Sequence, residues 1–147
     1  MKRDYLLKSA IFSAGIILLV SCATTTQLVE IPDQTKPIEK PENCRIYVMR
    51  PTTFAYAISM RVTDNDTPIG NTGPKGYLCW ETSAGTNTIN GISENISTLP
   101  MVTEAGQTYY IQQNVRMGFL FARNKLEAVD EATGKQMLSK CKPPVKK

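Results

Sequence analysis

Histidine is absent from all 147 residues. That removes Ser-His-Asp and Cys-His catalysis, and zinc sites built on imidazole. The remaining chemistry rests on Cys22, Cys44, Cys79 and Cys141 and on scattered carboxylates. Cys79 lies in Tyr77-Leu-Cys-Trp-Glu81, with no Cys-x-x-Cys partner to lower its pKa. It reads as a small buried hydrophobe, against the alternative of a thiol-dependent envelope enzyme. Glu81, Glu94 and Glu104 are candidates for a glycosidase carboxylate pair, but nothing in their spacing places two together. Asp64 and Asp66 suggest calcium, yet no third ligand or downstream Glu follows at EF-hand spacing, so a hairpin turn is expected. Gly70-x-x-Gly73-x-x-Gly76 has the glycines of a phosphate loop without the Gly-Lys-Ser/Thr ending, and reads as a pair of tight β-turns.

The elements that would position these groups begin with residues 1–21. Met1 to Lys8 is basic, Ser9 to Val20 is apolar, and Ser21-Cys22-Ala23 is small, the layout of a secretory signal peptide. The apolar core of about 12 residues spans only ~18 Å as a helix, short of the ~30 Å hydrocarbon layer. Leu19-Val20-Ser21-Cys22 resembles the lipobox of bacterial lipoproteins. The resemblance implies cleavage between Ser21 and Cys22 and covalent diacylglycerol and N-acyl lipid on Cys22. Multiple acyl chains on one residue anchor stably where one does not. Ala23, in place of an Asp, implies the outer membrane facing the periplasm rather than retention at the inner membrane.

Residues 1–21 hold three of the 17 basic and one of the 13 acidic residues, so the remainder carries a net charge near +2. No clustered basic face for nucleic acid is evident. Residues 22–43 carry Pro32, Pro37 and Pro41 with few large apolar side chains, and read as a flexible tether. Residues 142–147 read as a short solvated basic tail. In an oxidising compartment three thiols allow three single bridges. Cys44–Cys141 is favoured because the two bracket the folded region, residues 44–141, and would contribute at most ~4–5 kcal/mol through loop closure.

Between these cysteines short alternating runs recur: Ile46 to Arg50, Ile58 to Thr63, Tyr77 to Thr82, Thr88 to Ile92, Thr98 to Thr103, and Thr108 to Val115. Gly118-Phe-Leu-Phe121 and Leu126 to Val129 read as two further short strands, and Asp130 to Lys140 as a short helix capped by Asp130 and weakened by Gly134. Such spacing predicts an all-β fold, a small antiparallel β-sandwich of immunoglobulin or transthyretin type with a short C-terminal helix. Tyr47, Tyr56, Trp80 and Tyr110 are candidates for an aromatic contact patch, although local packing of each ring is the simpler account. Arg50, before Pro51, is expected either to pair with an internal carboxylate or to present a charge at a loop.

The ordered set Ile46-Tyr-Val-Met-Arg50-Pro51, Val62 to Gly70, Gly76-Tyr77, Trp80-Glu81, Glu104-Ala-Gly106, Thr108-Tyr-Tyr110, Phe121-Ala-Arg123, Leu126 to Val129 and Gly134 to Leu138 resembles bacterial lipoproteins defined by a domain of unknown function, DUF2846. Ser83-Ala84 departs from the Pro commoner before Gly85. The resemblance implies a compact β-sandwich-like domain and supplies neither an activity nor site residues. The functional expectation is a non-catalytic lipoprotein of the cell envelope, without cofactor or metal, that binds an envelope protein or a cell-wall glycan. The competing classes are a small envelope enzyme or thiol-dependent protein using Cys79, and an accessory subunit of an envelope or secretion complex.

Overall fold

Alternating side chains and turn residues divide the chain as follows, in a computed structural model that describes residues 21–147. The expected signal segment lies outside the described residues apart from Ser21. The elements are β1 (Thr26–Gln27), β2 (Asn43–Arg50), β3 (Met60–Asp64), β4 (Thr67–Thr72), β5 (Gly76–Ser83), β6 (Gly85–Ile92), β7 (Ile96–Thr103), β8 (Thr108–Met117), β9 (Ala122–Val129), α1 (Glu131–Leu138) and β10 (Val145–Lys146). A six-stranded sheet of order β10-β1-β4-β3-β6-β7 packs on a four-stranded sheet of order β5-β2-β8-β9. The β-sandwich with a short C-terminal helix is thus present. Its sheets are mixed rather than antiparallel throughout, since β2 pairs parallel with β8 and β1 parallel with β10.

Between the sheets lie Ile46 and Val48 of β2, Leu78 and Trp80 of β5, Ile111 of β8, and Val62 and Ile89 from the facing sheet. The alternate residues Tyr47, Met49, Cys79 and Tyr110 point to the opposite face of the four-stranded sheet and are also covered, by Met137, Leu138 and Cys141 among others. Covering on both faces explains why seven consecutive residues of β2 are buried, where a half-buried strand would alternate. The turn at Asn65-Asp66 forms as expected. Both residues have positive φ, 46° and 65°, in a two-residue hairpin that only Asn, Asp or Gly enters readily.

Three expectations are corrected. Residues 22–43 are not a free tether. Thr25 and Gln27 are buried, Leu28 donates its amide to the Ile69 carbonyl (2.8 Å), and Val29 packs on the core. The glycine series explains how. A Cβ on Gly70 would collide with the Thr26 carbonyl, on Gly73 with the Ala23 carbonyl, and on Gly76 with the Thr25 hydroxyl. The three glycines form a lane, clear of side chains, into which Ala23–Gln27 lies down. They are neither a phosphate loop nor simply turn residues.

The second correction concerns residues 142–147, where Val145–Lys146 pairs with β1 as an edge strand rather than forming a free tail. The third is Gly118-Phe-Leu-Phe121, which is the β8–β9 connection and not a strand. The Glu94 carboxylate accepts from the amides of Phe119 (2.7 Å), Leu120 (2.9 Å) and Phe121 (2.7 Å), and this takes those donors out of any ladder.

Helix α1 is capped by Asp130, whose carboxylate accepts from the Thr133 amide at 2.8 Å. Gly134, the position expected to weaken it, is where the helix touches the sheet: a Cβ there would run into the Tyr110 ring. Gly134→Ala is therefore expected to lower the melting temperature. Its helix-propensity gain of ~1 kcal/mol is outweighed by an overpacking cost of ~1–3 kcal/mol. A raised melting temperature in thermal denaturation would show that the helix is not seated on Tyr110.

Candidate functional site

Cys22 is exposed, and the residue after it is already part of the fold: Ala23 donates its amide to the Tyr56 carbonyl at 2.8 Å. Four residues on, Gln27 is 0% exposed and its carboxamide pairs with the backbone of Cys79. Nε2 donates to the Cys79 carbonyl at 2.6 Å, and Oε1 accepts from the Cys79 amide at 3.0 Å. A side chain of the six-stranded sheet thereby pairs both backbone groups of Cys79 on the outer edge of β5 in the other sheet. Leaving either backbone group unpaired would cost ~1–3 kcal/mol. The chain is pinned from Ala23 onward, and the exposed thiol of Cys22 sits at the edge of a rigid body.

The other cysteines are separated. Cys44 packs between the two sheets, whereas Cys141 packs on the opposite face of the four-stranded sheet, beside Tyr77 and Cys79. The expected Cys44–Cys141 bridge does not form, because the sheet itself lies between the two thiols; both are free. Cys79 is 0% exposed, and burial pushes its thiol up to about 12, with Tyr47 and Arg45 opposing only weakly. Burial likewise holds Cys141 at about 11. Neither carries a thiolate at neutral pH, the form a nucleophile or redox thiol requires.

The four aromatic residues do not make one patch. Tyr47 and Tyr110 stack, with centroids 5.3 Å apart and planes at 6°, but both are buried beneath α1 and its flanks. Trp80 lies on the other face in the core, where Nε1 donates to Asp64 Oδ2 at 2.9 Å. Only Tyr56 is exposed, on the β2–β3 loop. Strand alternation decides this: Tyr47 and Trp80 belong to opposite parities of paired strands, and cross-strand neighbours share a face only at matched register.

The carboxylates are also dispersed. Glu94 lies in the β6–β7 turn and Glu104 in the β7–β8 turn at the far end of the sandwich. Glu81 lies in a groove of about 740 Å³ between residues 29–40 and the β2–β5 face. There it accepts from Arg45 at 2.7 Å and from the Glu39 amide at 3.0 Å, and Arg45 also donates to the Lys36 carbonyl at 3.1 Å. The pair holds the 29–40 segment against the sheet. The Glu81 carboxylate is thus consumed internally. Asp64 faces the Trp80 indole rather than solvent, and among the described residues no cluster of three or more His, Cys, Asp or Glu could hold a metal.

Two residues do more than the sequence indicated. Arg50 is 0% exposed and, among the described residues, forms no ion pair with a carboxylate. It donates to the carbonyls of Ile58 (2.6 Å), Thr72 (3.2 Å), Phe54 (2.9 Å) and Ala55 (2.8 Å), freezing the β2–β3 loop from below. Burial lowers its pKa to about 10, still well above neutrality, so the guanidinium stays charged. Glu94 does the same for residues 119–121 with the opposite charge. No pattern signal marks either role, because both side chains bind backbone groups that any residue supplies.

No family model matches the chain, and no solved structure matches it. A protein of Haemophilus influenzae (strain ATCC 51907 / DSM 11121 / KW20 / Rd), described as an uncharacterized protein, is 31% identical over 148 residues, 95% of this chain and 88% of that one. This chain belongs to the same family as that Haemophilus protein.

Donation from the amides of Phe121, Phe119 and Leu120 holds the Glu94 carboxyl below its usual value. A depressed carboxylate pKa means the clamp is in place above the unfolded value near 4.5 and is lost as pH falls through the folded one. In an NMR titration the amide shifts of residues 119–121 should move together with one midpoint below the ordinary glutamate range. Glu94→Gln should abolish that step. A titration with no coupled movement would show that the carboxylate does not hold the loop.

Proposed function

We propose that this chain is a lipid-anchored, non-catalytic binding module of the bacterial cell envelope, acylated on Cys22 and facing the periplasm from the outer membrane, of the kind the DUF2846 resemblance implies. The observation that carries this reading is how closely Cys22 adjoins the fold. The sequence places the lipobox cut immediately before Cys22, and the very next residue, Ala23, is already hydrogen-bonded to the Tyr56 carbonyl. A lipoprotein matured at Cys22 would keep Ala23–Gln27, the segment that lies on the glycine lane.

The binding role is supported by what the side chains are already doing. Arg45, Glu81, Arg50, Glu94, Asp64 and Gln27 are all engaged with backbone or with one another. These groups are therefore not free for general acid–base work, which needs a titratable group able to reach a substrate. A thiol enzyme using Cys79 is disfavoured by its burial and its raised pKa. The partner class is an envelope protein or a cell-wall glycan.

Cys22→Ser tests the reading. Wild-type protein from a bacterial host should carry the mass of a diacylglyceryl and an N-acyl group on Cys22 and partition into a detergent phase. The variant should lack that mass and remain in the aqueous phase or as unprocessed precursor. Quantitative detergent partition of a Cys22→Ser protein cleaved at the same site would contradict it.

A further inference from the structure

We propose that the end of the sandwich carrying Cys22 is a membrane-seating face, and that the β2–β3 and β8–β9 loops enter the interfacial region of the bilayer into which Cys22 is acylated. This rests on the lipoprotein reading and adds an orientation and a contact surface to it.

Topology puts the pieces together. β2 and β8 run parallel, with Met49 opposite Gln112, so Arg50 and Met117 both lead out of the same end. The β4–β5 turn is there too, because Arg50 pairs with Gly76. The β6–β7 turn joins them, since Glu94 bonds residues 119–121. Ala23 reaches this end through its bond to the Tyr56 carbonyl and its seat on Gly73.

That end is where bare apolar side chains concentrate. Phe119 is 93% and Leu120 75% exposed, and Met117, Phe121, Phe54 and Tyr56 are exposed with them. Two loops of this kind on a protein of this size exceed the scattered apolar surface expected of a soluble monomer. Their backbones are held fast: Arg50 binds the carbonyls of Phe54 and Ala55, and Glu94 binds the amides of residues 119–121. Fixed backbone under exposed apolar side chains is a surface pre-organised for contact.

The bilayer is identified as the occupant by reach and by charge. One residue, ~3.8 Å between consecutive Cα atoms, separates Cys22 from Ala23. With Ala23 pinned to Tyr56, acyl chains on Cys22 cannot enter a membrane unless this end of the domain comes to its surface. The polar residues there suit the lipid headgroups. Lys75, Arg116, Arg123 and Lys142 are exposed around the loops, while the Glu94 carboxylate is already occupied by three amides. Exposed Phe, Leu and Tyr ringed by Lys and Arg is the composition of an interfacial contact that penetrates ~5–10 Å.

The test uses the full mature protein, purified with its acylation on Cys22 confirmed by mass, in vesicles of phosphatidylethanolamine and phosphatidylglycerol with brominated acyl chains. Trp80, buried in the core, supplies the wild-type emission baseline. Phe119→Trp should give an added emission that is blue-shifted and largely lost in brominated vesicles compared with unbrominated ones. Val102→Trp, exposed at the opposite end of the sandwich, should be no more quenched than in unbrominated vesicles. An acylated, vesicle-bound Phe119→Trp protein that is unquenched would overturn the seating face and leave those loops as a surface for a protein partner. Absence of acyl mass on Cys22 would instead overturn the anchored reading itself, and the seating face with it.

Discussion

The arrangement depends on one close approach, the Ala23–Gln27 backbone lying in the lane kept open by Gly70, Gly73 and Gly76. Any side chain in that lane would push the N-terminal segment off the sheet. Gln27 then could not reach the Cys79 backbone, and the outer edge of β5 would be left with unpaired groups. Lying there, the segment also becomes the strand on which β10 pairs. One contact thus closes a sandwich edge, captures the C-terminus and fixes Cys22 at a defined end of the molecule.

The same device recurs wherever the sandwich must be closed without a regular ladder. Asn95 exchanges hydrogen bonds between its carboxamide and the Asn124 backbone, at 2.8 and 2.9 Å. Asn124 in turn donates to the Gly91 carbonyl at 3.0 Å and accepts from Gln113 at 3.2 Å. Arg50 and Glu94 extend the principle with charge, one binding carbonyls and the other amides. Charge-assisted bonds to backbone are stronger than neutral ones, which suits loops that lack a hydrophobic underside. Glu81, Glu94 and Arg50, which might have suggested chemistry, are spent on holding shape.

Much of the fold was legible because strand alternation and turn chemistry are local signals. The Asn65-Asp66 hairpin, the β5 and β8 strands and the Asp130 cap all follow from residue type and period. The parts missed are those in which a non-local partner decides. Residues 22–43 have the composition of a tether, and only the facing glycines reveal that a chain lies down there; Gly70-x-x-Gly73-x-x-Gly76 was the available signal. Phe119 to Phe121 has strand composition, but a carboxylate 25 residues earlier in the chain captures its amides. The Cys44–Cys141 pairing relied on the nearness of chain ends and had no means of knowing that a sheet would separate them. Of the candidate site, the reading of Cys22 rests on its neighbours in sequence alone, whereas the aromatic patch failed because it pooled side chains from both faces of one sheet and a loop.

The central claim is that the chain is rigid from Ala23 onward, with no tether between Cys22 and the domain. The most direct measurement is amide hydrogen exchange of Ala23 and Leu28 in the purified protein. Their bonds to the carbonyls of Tyr56 and Ile69 predict protection that approaches that of the β2 amides and is lost only when the sandwich opens. Exchange of both amides at the rate of an unstructured peptide, with the β2 amides still protected, would contradict the account and restore a flexible segment ahead of the fold.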